Sequence, residues 1–201
     1  MKLGIIGAGN VGGALAEALL RQGHQVMFGS REPGSDKMQA LLSRLGPGAS
    51  AGSIAEAVTF GEALAIATPW AAVGEAVTQG DWSGKVVMDA TNRFGDHPRS
   101  AAEDLAALIP GARVVKAFNT IGAEHLLNPV VHGQKATMFI CGDDPAAKAL
   151  VGELVAQIGF DLVDAGPLEK ARLLEKLAEL WVSLMRGGAG RNIAFKLLRA
   201  D

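Results

Sequence analysis

At 201 residues the chain has room for one generous domain, or for one domain with a small appendage. Its 49% apolar and 20% charged residues allow a full core and give no disordered composition, and a formal net charge of −2 argues against nucleic acid or an acidic membrane surface as partner. Cys141 is the only cysteine, which excludes an internal disulfide and makes a reducing cytoplasm the expected location. The sequence opens directly on an apolar strand and holds no run near the roughly 18–20 apolar residues of a membrane span, so neither a signal peptide nor a membrane segment is expected.

The first strand, residues 2–6, runs into Gly7-x-Gly9-x-x-Gly12, and residues 11–21 follow as a helix with Val11, Leu15, Ala18 and Leu19 at helical spacing. Strand, glycine turn and helix in that order are the fingerprint of a dinucleotide-binding βαβ unit. Gly7 makes the tight turn, Gly9 admits a pyrophosphate close to the backbone, and Gly12 lets the helix press on the strand. Gly7, Ala8, Gly9, Asn10, Val11 and Gly12 are therefore the candidate phosphate cradle, with the helix N-terminus facing the anion. The next strand, residues 25–29, ends at Ser30-Arg31-Glu32, where enzymes that use the unphosphorylated nucleotide place a carboxylate on the ribose. A hydroxyl followed by a guanidinium instead suits a 2′-phosphate, and Lys37, at the start of the helix expected over residues 35–45, adds a second positive charge. NADP(H) is the expected nucleotide. The competing reading is a solvated Ser-Arg turn with Glu32 on the ribose.

Apolar runs keep alternating with helical patterns: strands at 63–67, 85–89, 113–117, 136–141 and 161–164, helices at 54–58, 70–78, 101–109 and 146–158. Continuous Val/Ile/Leu/Ala character fits strands covered on both faces, so the fold class is α/β, a doubly wound parallel sheet. Asp143-Asp144-Pro145 gives the last of these helices an acidic cap and a proline start. Ligands in such sheets lie beyond the carboxyl ends of the strands. That rule selects Thr68-Pro69-Trp70, Ala90-Thr91-Asn92 and Phe118-Asn119-Thr120-Ile121, which otherwise read as ordinary turn and cap residues. After Asp164 the pattern becomes helical over 168–185, breaks at Gly187-Gly188-x-Gly190, and resumes over 191–198. The expected division is a nucleotide-binding domain over residues 1–165 and a small helical cap over 166–201. The greasy second face of the cap suits either packing or a homodimer contact.

Gly7–Gly12 with Ser30-Arg31, Ala67-Thr68-Pro69, Val115-Lys116-Ala117-Phe118-Asn119-Thr120, Cys141-Gly142-Asp143-Asp144 and Asp164-Ala165-Gly166-Pro167-Leu168 occur in that order. Together they make the chain resemble the NADPH-dependent deazaflavin reductases, the coenzyme F420:NADP oxidoreductases, and the reductase domain of STEAP-type metalloreductases. The resemblance implies a Rossmann domain with a C-terminal helical cap, often dimeric, that moves hydride between nicotinamide C4 and a flavin or deazaflavin stacked on it. Coenzyme F420, FMN and FAD are the implied partners of NADP(H). The sequence departs from the deazaflavin pattern at Asn119, where those relatives carry a histidine; Phe118-Asn119-Thr120 is nearer the STEAP version.

Ring-to-ring hydride transfer asks mainly for positioning, and the candidate loops offer no Ser/His/Asp triad and no metal-spaced His/Cys cluster. Asn119 and Thr120 are the candidate positioning groups, none assigned as an acid or base, and Thr68, Pro69, Asn92, Phe118 and Asn119 are the candidate contacts to the nicotinamide half of the cofactor. Gly187, Gly188 and Gly190 read either as the floor beneath a flat ring or as an interhelical turn, with Leu168 and Met185 as apolar lining. His125 and His132 read as ring-steadying groups or as solvated loop histidines. His24 and His97 read as surface residues, Cys141 as a buried thiol, and Trp70 as a packing anchor or a stacking partner. Two other functions fit the same pattern: an NADP-dependent dehydrogenase of a small imine or keto substrate, and a non-catalytic NADPH sensor. The first usually has a catalytic Lys or His and a helical substrate domain much longer than the segment after Asp164.

Overall fold

The computed structural model describes residues 1–200. Strand and helix alternate through β1 (Lys2–Ile6), α1 (Asn10–Arg21), β2 (Gln25–Gly29), α2 (Asp36–Leu45), β3 (Ala49–Gly52), α3 (Ile54–Phe60) and β4 (Ala63–Ile66). A 3-10 turn at Trp70–Ala72 leads into α4 (Val73–Val77), followed by β5 (Val86–Asp89), α5 (Ala101–Leu108) and β6 (Arg113–Lys116). The remainder comprises a 3-10 turn at Ala123–Leu126, the short strands β7 (Val130–Val131) and β8 (Gln134–Lys135), β9 (Thr137–Gly142), α6 (Pro145–Ile158), β10 (Asp161–Asp164) and, after a 3-10 turn at Leu168–Lys170, α7 (Ala171–Leu184). Eight strands form one sheet in the order β10-β9-β6-β5-β4-β1-β2-β3, while β7 and β8 make a separate hairpin.

Side chains that alternate along each strand enter two apolar layers. Leu3 and Ile5 of β1 pack with Leu15 and Leu19 of α1 and Val151 and Val155 of α6. Ile6 faces the opposite side with Ile54 of α3, Val73 of α4 and Leu105 of α5. Burial on both faces explains why these strands are apolar at every position rather than at alternate ones. Helix starts are set locally: Ser53 and Ser100 each form a reciprocal capping box, with Glu56 and Glu103, and Asp144 Oδ1 accepts from the Ala147 amide ahead of Pro145.

Three sequence expectations change. First, β3 joins the edge of the sheet beside β2, although Ala-Ser-Ala-Gly carries no β-branched residue to announce it. Second, the sheet is parallel except between β6 and β9, where Val115 faces Gly142 and Lys116 faces Cys141 in antiparallel register. The segment joining them holds a 3-10 turn and a hairpin but no crossover helix, and a parallel return needs one. Third, residues 191–198 are not helical. They run extended along the start of β9: the Thr137 amide donates to Phe195 O at 2.9 Å and the Leu197 amide to Thr137 Oγ1 at 3.0 Å. Ile193, Phe195 and Leu197 are spaced by two, which suits that path better than a helix turn.

The sheet also buries a cation. Lys116, at the end of β6, is 0% exposed, and its Nζ donates to Asp89 Oδ2 at 2.9 Å, Thr91 O at 2.6 Å and Glu175 Oε1 at 2.9 Å. Asp89 is its register partner on β5, and Glu175 reaches in from α7 while also accepting from the Ala101 amide at the start of α5. All three ammonium donors are used, the condition under which burying the charge is tolerable. Lys116→Met removes the cation and leaves two buried carboxylates facing each other. Denaturant unfolding is expected to show a loss of about 3–5 kcal/mol, the usual effect of breaking a buried pair from one side; a loss under about 1 kcal/mol would show the carboxylates to be solvated.

Candidate active site

The glycine turn occupies the carboxyl end of β1. Gly7 sits at φ 113°, and Gly9 precedes α1, whose first turn contains no acidic residue and whose N-cap offers no side chain to its amides. The start of α1 is therefore free to receive an anion. The other two glycines have opposite reasons for being there. A Cβ on Gly12 would lie 1.9 Å from Gly7 O, inside the turn itself, whereas a Cβ on Gly9 would meet nothing within 4 Å. Gly12 is a packing requirement, and Gly9 keeps open a space that the protein does not fill.

Beside the turn, a cavity of about 200 Å³ is lined by Gly7, Ala8, Ser30, Arg31, Thr68, Pro69 and Glu75. Ser30 Oγ accepts from the Glu32 amide at 3.1 Å, and Arg31 Nη1 lies 3.3 Å from Glu75 Oε2 on α4. Lys37 is not in this cavity. It lines a groove on the other side of the turn with Gly9, Asn10 and Glu17, so the structure does not join it to Arg31.

Farther along the strand ends, a second cavity of about 150 Å³ is lined by Val11, Asn92, Phe118, Asn119, Trp181 and Arg191, among others. Asn92 and Asn119 interlock across it: Asn119 Nδ2 donates to Asn92 Oδ1 at 3.0 Å and Leu174 O at 3.1 Å, and Asn92 Nδ2 donates to Asn119 O at 3.0 Å. With both donors of Asn119 committed to oxygens, its amide orientation is fixed, and its buried Oδ1 has no partner. Phe118, fully buried, holds a left-handed φ of 62° while its amide donates to Met138 Sδ. For an aromatic residue that conformation costs energy and marks a constrained loop. Thr120 is buried beside it.

Arg191 closes the outer side. It pairs with Glu124 through two nitrogens, lies 5.7 Å from the Trp181 ring centroid, and donates to Met185 Sδ. The hydrogen bond from Arg191 holds the Glu124 carboxyl below its ordinary range and the guanidinium above its own.

Several expected ring contacts fall elsewhere. Leu168 is buried in the apolar layer with Val87, Leu105 and Cys141, on the far side from the second cavity. Gly187 and Gly188 are exposed in the wide turn Met185–Ala189 and line neither cavity. His125 is buried rather than solvated, with Nε2 unpaired, and His132 is exposed in the turn between β7 and β8 at φ 48°. Burial pushes the Cys141 thiol up to about 12, so it is inert at neutral pH. Trp70 is half-buried, with Arg93 stacked 5.3 Å from its centroid. Sequence reading missed Glu75, Trp181 and Arg191 as cavity residues, and Lys116, Asp89 and Glu175 as a network. The signal for the last group was a lysine inside an otherwise apolar strand run, which demands a buried acid.

A nearly parallel sheet with this glycine turn at the switch between β1 and β4, and cavities along its carboxyl edge, defines a Rossmann-type nucleotide-binding protein. Residues 2–93 match the family model described as NADP oxidoreductase coenzyme F420-dependent. Over 98% of both chains the sequence is 30% identical to the F420-dependent NADP reductase of Methanothermobacter marburgensis. It is 34% identical to rat metalloreductase STEAP3 over 88% of this chain but 36% of that protein, so it spans about a third of the metalloreductase. A crystal structure of a candidate F420-dependent NADP reductase from Arthrobacter sp. FB24 superposes with a TM-score of 0.91 at 30% identity, over 99% of this chain and 100% of that one. The chain belongs to the coenzyme F420-dependent NADP oxidoreductase family, a family of NADP-dependent oxidoreductases.

The two glycines separate folding from binding. Gly12→Ala is expected to lower the melting temperature by several degrees or to prevent folding, because Gly7 O cannot be avoided. Gly9→Val is expected to melt within a degree or two of the parent while losing nucleotide affinity at least tenfold in calorimetric titration; unchanged affinity would move the phosphates off the turn.

Proposed function

We propose that the chain transfers hydride between NADP(H) and a flavin or deazaflavin ring. The observation that carries the nucleotide half is the placement of Ser30 and Arg31 in one cavity with Gly7 and Ala8. Residues fit that ligand at each point tested: an uncapped helix start for the pyrophosphate, open space at Gly9, and a hydroxyl and a guanidinium for the 2′-phosphate. When bound, the nicotinamide supplies or accepts the hydride. The chain's own contribution is to position: Asn92 and Asn119 present fixed amide groups, Phe118 and Trp181 present apolar walls, and the Arg191–Glu124 pair limits the entry of water. A hydride passing directly between two rings asks mainly for such positioning.

Family membership supports a small-molecule deazaflavin or flavin as partner, with coenzyme F420 first; Asn119, which stands where the deazaflavin relatives carry a histidine, keeps FMN and FAD beside it. Residues 1–165 serve in this reading as the nucleotide-binding unit and the segment from 166 onward as the cover over the acceptor. Among the described residues no helix is long and apolar enough to cross a membrane; a cytoplasmic setting, where Cys141 stays reduced, completes the proposal. Anaerobic stopped-flow absorbance with NADPH against F420, FMN, FAD and riboflavin tests it, and NADPH that binds without reducing any of them would favour a sensor. Arg31→Ala is expected to raise the KM for NADPH at least tenfold and that for NADH less than twofold, and equal effects would remove the 2′-phosphate role.

A homodimer is the proposed assembly. Leu173, Leu180 and Leu184 of α7 are exposed at 64%, 48% and 43%, and with half-buried Leu177 they form a 4-3-4 seam for a second helix. Light scattering is expected to give twice the chain mass for the parent and the single-chain mass for Leu180→Glu; a parent of single-chain mass would exclude the dimer.

A further inference from the structure

Resting on the placement of the 2′-phosphate beside Ser30 and Arg31, we propose that Glu75 is a specificity-determining residue that competes with that phosphate for the Arg31 guanidinium. Among the described residues, Arg31 and Glu75 are the only charged side chains lining this cavity, and they face each other at 3.3 Å from different elements, the loop after β2 and helix α4. Glu32, next in sequence to Arg31, does not line it. The pair has one contact, and its side chains are 69% and 61% exposed, so it is weak enough to exchange partners.

The two nucleotides meet this pair differently. A 2′-phosphate brings up to two negative charges and three acceptor oxygens to the guanidinium, and it outcompetes a single carboxylate through charge-assisted hydrogen bonds. The displaced carboxylate stays within a few ångströms of the phosphate and repels it. A 2′-hydroxyl makes no such demand, and the Arg31–Glu75 pair persists. Glu75 therefore trims the affinity for NADP(H), leaves that for NAD(H) nearly untouched, and speeds release of the phosphorylated nucleotide by recapturing Arg31. Selectivity at this site is the difference between a cation and its resident counter-ion, rather than the presence of an arginine alone.

Calorimetric titration of the intact protein with NADP+ and NAD+, with dissociation rates by stopped flow, tests this in the parent, Glu75→Gln, Arg31→Ala and the double variant. Glu75→Gln is expected to tighten NADP+ about three- to fivefold through slower dissociation, in keeping with an exposed pair, and to leave NAD+ within twofold. In the Arg31→Ala background the same change is expected to move NADP+ less than twofold. NADP+ affinity that is unchanged or weaker in Glu75→Gln, or equally improved without Arg31, overturns the competition. If Arg31→Ala keeps the preference for NADP+, the underlying 2′-phosphate placement fails. If Arg31→Ala loses that preference while Glu75→Gln is silent, only the role of Glu75 fails.

Discussion

A single ammonium group, Lys116 Nζ, ties together the parts that make the crevice. Its three bonds reach the end of β5 through Asp89, the loop that follows through Thr91 O, and the middle of α7 through Glu175. Glu175 in turn holds the first amide of α5. Buried ionic clusters add little net stability over apolar packing of the same volume. What this one supplies is position, since Thr91 is the neighbour of Asn92 and Leu174 O, next to Glu175, anchors Asn119. A shift of α7 by a fraction of an ångström is therefore felt at both amides of the second cavity.

Strain and unpaired polarity gather around the strand ends that line the crevice. Thr68 Oγ1, Thr91 Oγ1 and Asn119 Oδ1, from the loops after β4, β5 and β6, are buried without hydrogen-bond partners, as are Arg93 Nε and His125 Nε2 close by in sequence. Phe118 holds its left-handed backbone in the same place. Folded proteins satisfy nearly all such groups; of these, Thr68 lines the cavity beside the glycine turn and Asn119 the second cavity, where a bound ligand finds polar neighbours. The glycine turn itself is built differently, from backbone and open space, with the Arg31–Glu75 pair beside it at the surface.

Much of this was legible in the sequence because local rules decided it. The glycine turn, the strands buried on both faces and the Asp144-Pro145 helix start all follow from neighbours within a few residues. The facing of Asp89 and Lys116 was available too, as two charges at the ends of adjacent apolar runs. Glu175 was not, since only the packing of α7 brings it to them. The same holds for Trp181 and Arg191, whose place at the cavity depends on where α7 crosses the sheet, and for Leu168, which that packing draws into the core. β3 was hidden by small residues whose pairing is set by β2, and the extended tail by a mixture of two- and three-residue spacings that either reading could use.

That tail gives the last described residues a hold on the second cavity. Ile193 O accepts from the Trp181 indole at 2.9 Å, and the next few residues dock on Thr137. Clipping by a protease after the glycine turn, or a bulky fusion there, would orphan the indole proton and let the ring drift from the wall it forms. The cavity would then lose part of its wall while the sheet stayed folded, a defect that a solubility check passes over.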